Sequence, residues 1–496
     1  MHDIRPDDRR MAKSAQVSPW APLQHKVFRM LWIASIASNI GSWMHEVGAG
    51  WLMTSLAPTP LMVALVQAAT AAPVFLLVLP AGALADIVDR RCYLIASQVW
   101  MMLVATILGV LTLAGLTTPT MLLLLTFALG IGTAMMMPAW GAVTPELVRR
   151  NELQAAIGLN TMGMNVARAI GPAIAGLVVA MAGTGMLFIL NALSFLAVIA
   201  ALKSWDRPLH ESELPAERLA GAVRAGLRYA RHSPELKAVL VRGIAFFVFA
   251  SAPWALLPLI VCQELQSGPG TYGLFMACLG VGAIAGALVL PHVHARLARD
   301  QLVAAATVCY ALAMLAIAHS GNVIAAGAAM LLTGAAWICV VSSLMTAAQT
   351  ALPAWVRARG LALFWVVFMG GMTGGSVLWG QVASWFGIPA ALTWAAAGAI
   401  VGMFASWRFG IGQHEQDDLS PSLSWPTPMT DNTFEVDRGP VMVTVEYLID
   451  PAQSQAFVHA MHAMRRLRRG RFGPIIRRKA APGISAPQLG PIGEET

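Results

Sequence analysis

Apolar residues in this chain come in long blocks, not at alternating positions. Runs at about 27–53, 61–85, 92–116, 119–142, 155–181, 184–203, 238–262, 272–295, 301–320, 323–349, 360–385 and 389–408 are interrupted only by short polar stretches. Each is near or beyond the roughly 20 residues that a helix needs to cross a bilayer, and several exceed what a buried core helix uses. The pattern predicts an all-α polytopic membrane protein with twelve transmembrane helices.

Composition agrees. Of 496 residues 57% are hydrophobic and only 12% charged, with a mean hydropathy of +0.65. Soluble chains carry charge at about 25% of positions. The first 26 residues are charged, contain Pro6, Pro19 and Pro22 and lack an apolar core, so the first run is expected to act as its own signal anchor. Five scattered cysteines form no CxxC and read as packing residues, with neither disulfide nor metal expected.

The net charge of +8 is explained by its placement. Arg90/Arg91, Arg149/Arg150, Arg296/Arg299 and Arg357/Arg359 follow the second, fourth, eighth and tenth runs, and seven Lys or Arg residues lie between Lys203 and Lys237. The alternate loops (54–60, 117–118, 182–183, 263–271, 321–322 and 386–388) carry no Lys or Arg. The positive-inside rule then puts both termini and the central loop in the cytoplasm, for a multi-pass protein of the cell (inner) membrane. The basic residues meet anionic lipid at most, and a nucleic-acid partner is not expected.

The expected organisation is a cytoplasmic segment over 1–26, a six-helix bundle over 27–203, a cytoplasmic loop over 204–237, a second bundle over 238–409 and a cytoplasmic tail over 410–496. Within the loop, Glu213–His232 reads as an amphipathic helix on the membrane surface. In the tail, Val441–Tyr447 reads as a strand and Pro451–Leu467 as a helix, too little to bury a core. The tail is expected to be mostly disordered, a truncated α+β remnant.

The two halves repeat at an offset of about 205 residues. Ala81-Gly82-Ala83-Leu84 recurs as Ala285-Gly286-Ala287-Leu288, and Pro145-Glu-Leu-Val148-Arg149-Arg150 as Pro353-Ala-Trp-Val356-Arg357-Ala-Arg359. Gly171-Pro172 with Gly176 is echoed by Gly374-Gly375 with Gly380.

Gly82-x-Leu84-x-Asp86-x-x-Asp89-Arg90-Arg91 resembles the loop 2–3 signature of the major facilitator superfamily, and Gly171-Pro172-Ala-Ile-Ala-Gly176 resembles the helix-bend motif of its antiporter branches. Gly41-Ser-Trp43, Pro138-Ala-Trp140, Pro145-Glu-Leu-Val148 and Tyr272-Gly273 are similar to the enterobactin-exporter-like group, also called transmembrane secretion effectors. The resemblance covers about residues 20–410. It implies that Gly82, Asp86, Asp89, Arg90 and Arg91 form a latch holding the cytoplasmic gate shut in the outward-facing state, and Gly82, as a small residue, is expected to let two helices approach closely there. It also implies close packing of span five on span eight at Gly171, Pro172 and Gly176.

Within the spans, Ser35, Ser38, Asn39, Ser42, His45 and Glu46 fall on one arc of the first helix, which must face protein or water. Arg168 is the deepest charge, sharing a face with Thr161 and Asn165. Asn39, His45, Glu46, Asn165 and Arg168 are therefore the candidate substrate and proton pathway. Glu46 can be a proton or substrate site or a hydrated carboxylate near the outer interface. Arg168 can pair with Glu46, bind an anionic substrate group or staple backbone carbonyls. Many proton-driven members carry an Arg in span four, whereas Leu125–Gly130 has none, so that coupling mechanism does not transfer. The 27 methionines and 16 tryptophans read mostly as packing and interface anchors.

No GxSxG, HExxH or Walker sequence is present, so neither an enzyme nor an ATP-driven pump is expected. The favoured function is a secondary transporter working by alternating access, with a small-molecule substrate, protons and membrane lipids as partners and no cofactor. The resemblance makes it an exporter of an amphipathic molecule, siderophore or drug-like. An importer of the same fold, or a sensor or scaffold that transports nothing, are the alternatives. If the loop 2–3 latch operates, Asp86→Asn shifts the balance toward the inward-facing state; spin-label distances across the cytoplasmic ends of the bundles should lengthen.

Overall fold

The computed structural model describes residues 18–205, 228–352, 357–411 and 455–457, apart from the side chains of Ala83, Asp86, Ile87, Ala142 and residues 357–359. Among the described residues there is no strand. The described residues form twelve long helices: α1 (Lys26–Leu56), α2 (Pro60–Ile87), α3 (Arg90–Leu113), α4 (Pro119–Leu147), a kinked helix Leu153–Lys203 that divides into α5 (153–182) and α6 (184–203), α7 (Pro234–Leu259), α8 (Pro269–His294), α9 (Arg299–His319), α10 (Val323–Thr350), α11 (Arg357–Phe386) and α12 (Ile388–Ala405).

The kink lies at Gly183, whose φ of 78° is open to glycine and costly for other residues. Ten helical segments are long and apolar enough to cross a membrane, the kinked one counting once. Helix α1 is not among them because Asn39, His45 and Glu46 dilute its apolar middle; its 31 residues still span about 46 Å. Large apolar side chains such as Leu76, Leu103, Leu124, Leu177, Leu288 and Ile324 are exposed on the outside, a surface suited to lipid and excessive for a soluble monomer. Of the stretch expected to be an amphipathic helix, residues 228–232 are helical. The rest of that stretch, the strand expected at Val441–Tyr447 and nearly all of the tail lie outside the described residues.

The two bundles are built alike. In the first, α1 packs on the kinked α5–α6 helix, α2 on α4, and α3 on the same helix and on α4. In the second, α7 packs on α11 and α12, α8 on α10, and α9 on α10 and α12. Between bundles, α2 lies on α11 and α5 on α8.

The repeated glycines do the same work in both halves. A Cβ on Gly171 would lie 2.7 Å from Trp43 Cβ on α1, and one on Gly375 would strike Ser251 and Val248 on α7. Each glycine thus seats its helix on the first helix of its own bundle. A Cβ on Gly176 would lie 3.2 Å from Gly273 Cα across the α5–α8 contact, and one on Gly380 would lie 3.2 Å from Leu61 Cα across the α2–α11 contact. These glycines bring the two bundles together, as small residues do between membrane helices.

Gly82 behaves differently from the expectation. A Cβ there would meet only Pro138 Cβ, at 3.8 Å, which is ordinary contact. Its repeat partner Gly286 is the tight one, 2.8 Å from the Ala335 backbone. Helix α4 also runs to Leu147, five residues past its apolar run, so that Pro145 is helical.

Guanidinium groups close the base of each bundle. Arg91 donates to the carbonyls of Leu202 (2.9 Å) and Lys203 (2.6 Å) at the end of α6. In the second bundle the buried Arg242 donates to Phe409 (2.8 Å) and Trp407 (3.4 Å) past the end of α12, and pairs with Asp300 at the start of α9 (2.8 Å). Helix C-termini present unsatisfied carbonyls and partial negative charge, which an Arg satisfies. His25 and Glu152, 2.6 Å apart, tie the entry of α1 to the turn before α5.

The inter-bundle contacts lie toward the face without basic loops. Leu61 N donates to Ser384 Oγ (3.2 Å), Gln263 Nε2 to the Pro58 carbonyl (3.1 Å), and the Trp51 and Tyr272 rings stack at 6.1 Å. On α5 the stripe Ile157, Thr161 and Met164, which leads from the basic face toward Arg168, is exposed. The α5–α8 contact runs from the neutral face to mid-helix at Arg168 and Gly280, and the basic half of α5 is exposed beyond it. Gly273→Leu forces a side chain into the α5 backbone, at a cost of about 1–3 kcal/mol; spin labels on the neutral ends of α5 and α8 should move apart relative to wild type.

Candidate functional site

The polar arc of α1 divides in two. Ser35, Asn39, Ser42 and Glu46, spaced four, three and four apart, lie on the side of α1 away from α6. Ser42 is exposed and the other three are half-buried. Ser38 and His45 are instead buried. The His45 ring lies 4.7 Å from Phe188 on α6, and neither of its nitrogens has a hydrogen-bond partner. Ser35 and Ser42 spend their hydroxyls on backbone carbonyls one turn back, Leu31 and Ser38, which leaves Asn39 and Glu46 as the polar groups of that face.

Arg168 lies at the middle of α5, facing α1. Its guanidinium stacks over Trp43, 5.5 Å from the ring centroid, a contact of about 0.5–2 kcal/mol. Its Nε is buried without a hydrogen-bond partner. Glu46 is the charge that acts on it, and it on Glu46, with Tyr272 of α8 also within reach of the carboxylate. Among the described residues neither Glu46 nor Arg168 forms an ion pair within 4.0 Å. Asn165 is half-buried one turn toward the basic face. The carbonyl of Arg168 also sits at the inter-bundle seam, 3.0 Å from where a Cβ of Gly280 would be.

Opposite these charges stands an aromatic wall that the sequence reading missed. Trp43 is 6.5 Å from Trp254 on α7, Trp254 5.4 Å from Trp337 on α10, and Trp337 5.9 Å from Phe368 on α11. Phe247 and Trp365 flank Phe368 at 4.6 and 5.4 Å. The available signal was tryptophan in the middle of spans, away from the interfacial belts that it usually occupies. The matching registers of Gly171 on Trp43 and Gly375 on Ser251 make Trp254 the repeat counterpart of Glu46, and Met372 that of Arg168. Where the first bundle carries charge, the second carries apolar surface.

The expected gate residues form a local network. Asp89 caps α3, accepting from Cys92 N (2.9 Å), and Arg90 pairs with Glu146 of α4 (2.7 Å). Arg91 reaches α6 as described. Helices α3, α4 and α6 are thereby joined at the basic face of the first bundle. The Asp86 side chain lies outside the described residues. Near this network a crevice lined by Phe28, Trp32, Ser35, Trp140, Thr144 and Asn160 opens between α1, α4 and α5.

Among the described residues no group of His, Cys, Asp and Glu could hold a metal ion. If the arc of α1 is divided as described, cysteine at Ser42 should react with a hydrophilic maleimide and cysteine at Ser38 should be protected, both measured with the native cysteines replaced.

Comparisons with known proteins agree on the kind of molecule. The model of the transmembrane secretion effector family matches residues 17–474. The chain is similar to the staphyloferrin A transporter of Staphylococcus aureus, 26% identical over 259 residues that cover 51% of this chain and 64% of that protein. It is also similar to the uncharacterized MFS-type transporter YfiS of Bacillus subtilis, 24% identical over 253 residues, 50% of this chain and 59% of that one. The matched stretches span less than two thirds of the length of these curated relatives. Among solved structures, a bacterial homologue of the human lysosomal transporter Spinster, in an inward-facing and unoccupied conformation, superposes with a TM-score of 0.59 at 15% identity, over 77% of this chain and 94% of that one. That likeness is one of fold.

Proposed function

We propose that this chain, which belongs to the transmembrane secretion effector family of the major facilitator superfamily, is a secondary transporter that exports a small amphipathic molecule by alternating access. The observation that supports the reading is the proximity of Glu46 and Arg168 within the first bundle, beside the aromatic rings that the second bundle brings against Trp43. Taking the basic face as cytoplasmic puts both termini in the cytoplasm of an inner-membrane protein, with the chamber open inward.

Substrate then enters from the cytoplasm along the exposed stripe of α5 and settles between the charges of the first bundle and the aromatic wall of the second. The bundles rock about the site, opening the glycine seam of α5–α8 and α2–α11 and closing the basic face, where the loop 2–3 network meets the second bundle. Glu46 is the proton carrier in this scheme: a proton on its carboxylate removes the charge that balances Arg168, so proton and substrate compete for one site. A siderophore or drug-like cargo is consistent with the named function of the Staphylococcus aureus relative.

The test compares extracellular metabolites of cells with and without the protein, with and without an uncoupler. An uncoupler-sensitive product should appear outside only when the protein is present. Glu46→Gln should cut its export at least about tenfold and remove the uncoupler effect, while the purified variant keeps its melting temperature. Export by Glu46→Gln with unchanged uncoupler sensitivity would refute the role of this carboxylate.

A further inference from the structure

The electrostatics of the site select a substrate class, and this deduction rests on the transport reading above. Glu46 and Arg168, of opposite charge when both are ionised, act on each other across α1 and α5, yet stop short of an ion pair. Arg168 holds an unpartnered, buried Nε, and a membrane-embedded guanidinium requires an acceptor. On the second-bundle side, α7 between Arg242 and Glu264, α10, and α11 beyond Arg359 have no Asp, Glu, Lys, Arg or His, and α8 contributes the phenol of Tyr272, with His292 and His294 at its far, basic end. A ligand with only a negative group would satisfy Arg168 and leave Glu46 unbalanced, and a ligand with only a positive group would do the reverse. A ligand carrying both leaves no net charge in a medium of low dielectric.

The rest of the ligand is set by the wall. Arg168 rests on Trp43 and Trp43 adjoins Trp254, so a group bound at Arg168 has Trp254 as the next ring of the wall, with Phe368 farther along it beyond Trp337. Trp254 and Phe368 are half-buried, leaving ring surface to the chamber. Stacked or edge contacts with aromatic groups suit such a surface.

We propose that the site takes a zwitterionic amphiphile, with its cationic group on Glu46, its anionic group on Arg168 and an aryl-bearing body against Trp254 and Phe368. Competition with protons follows from the same contacts, since a protonated Glu46 cannot hold the cationic group.

The test uses the purified full-length protein and four probes: phenylalanyl-phenylalanine, its C-terminal amide (cation only), its N-acetyl form (anion only) and alanyl-alanine (zwitterion without aryl groups). Binding is read by calorimetry. Wild type should bind the aryl zwitterion about tenfold or more tightly than each of the others. Glu46→Gln should shift the preference to the N-acetyl form and Arg168→Gln to the amide. Trp254→Leu should shrink the gap between the aryl and alanine zwitterions and keep the charge order. Equal binding of the three aryl probes, a wild-type preference for a singly charged one, or binding of none overturns the proposal. Metabolite export by the same protein separates the two ideas: export with no charge preference refutes the substrate class alone. Zwitterion binding without export refutes the transport reading alone.

Discussion

The fold is organised around the cost of placing a charge inside a hydrocarbon layer. Arg168 sits halfway along α5, where an isolated guanidinium is expensive, and three features of the structure lower that cost. The face of Trp43 lies under the guanidinium, the Glu46 carboxylate lies across the α1–α5 contact, and the chamber keeps part of the group open to the basic face. The contact exists because Gly171 lets α5 descend onto Ile40 and Trp43. The charge and its neighbours are thus products of helix packing set by one small residue.

Duplication explains most of the architecture, and divergence explains the site. Gly171 and Gly375 seat α5 and α11 on the first helix of their bundles, and Gly176 and Gly380 seat them on the opposite bundle. With the scaffold preserved, the side chains at matched depth have parted: Glu46 and Arg168 on one side, Trp254 and Met372 on the other. A symmetric chamber with four charges would demand far more compensation in low dielectric than one with a single balanced pair beside an apolar wall. The asymmetry lets one site hold charge and still present a dry surface to the body of a ligand.

How much of this was legible in the sequence depends on which physical signal was involved. Twelve helices were readable because a bilayer imposes length and apolarity on every span, and the glycine pairs were readable because the repeat placed them in order. The Glu46–Arg168 neighbourhood was reachable from depth alone. Helix rotation was not. Ser38 and His45 lie on the same arc as Glu46, but the arc is wide enough for its two edges to face different neighbours, and only packing on Phe188 decides which. The aromatic wall escaped because tryptophan serves both as interface anchor and as core, and composition does not distinguish them. Gly82 drew the close-approach reading from its motif, whereas the tight contact belongs to Gly286, since small residues mark a permitted approach and not an actual one.

Rigid ends and a compliant seam make the site mechanically sensitive. At the basic face Arg90, Arg91 and Asp89 bind α3, α4 and α6 together, and Arg242 with Asp300 binds α7, α9 and the end of α12. Charged hydrogen bonds of this kind resist local deformation and so stiffen the basic end of each bundle. The contact between bundles is of another sort: glycine against backbone along α5–α8, and apolar side chains such as Val74, Val78, Val366 and Met369 along α2–α11, with few polar bonds. Arg168 belongs to both systems: its side chain points to the chamber while its own carbonyl abuts Gly280 across the seam. A change of partner at the guanidinium therefore acts on the α5–α8 contact without any intervening relay, and a ligand that balances Glu46 and Arg168 sits within one residue of the surface on which the bundles must part.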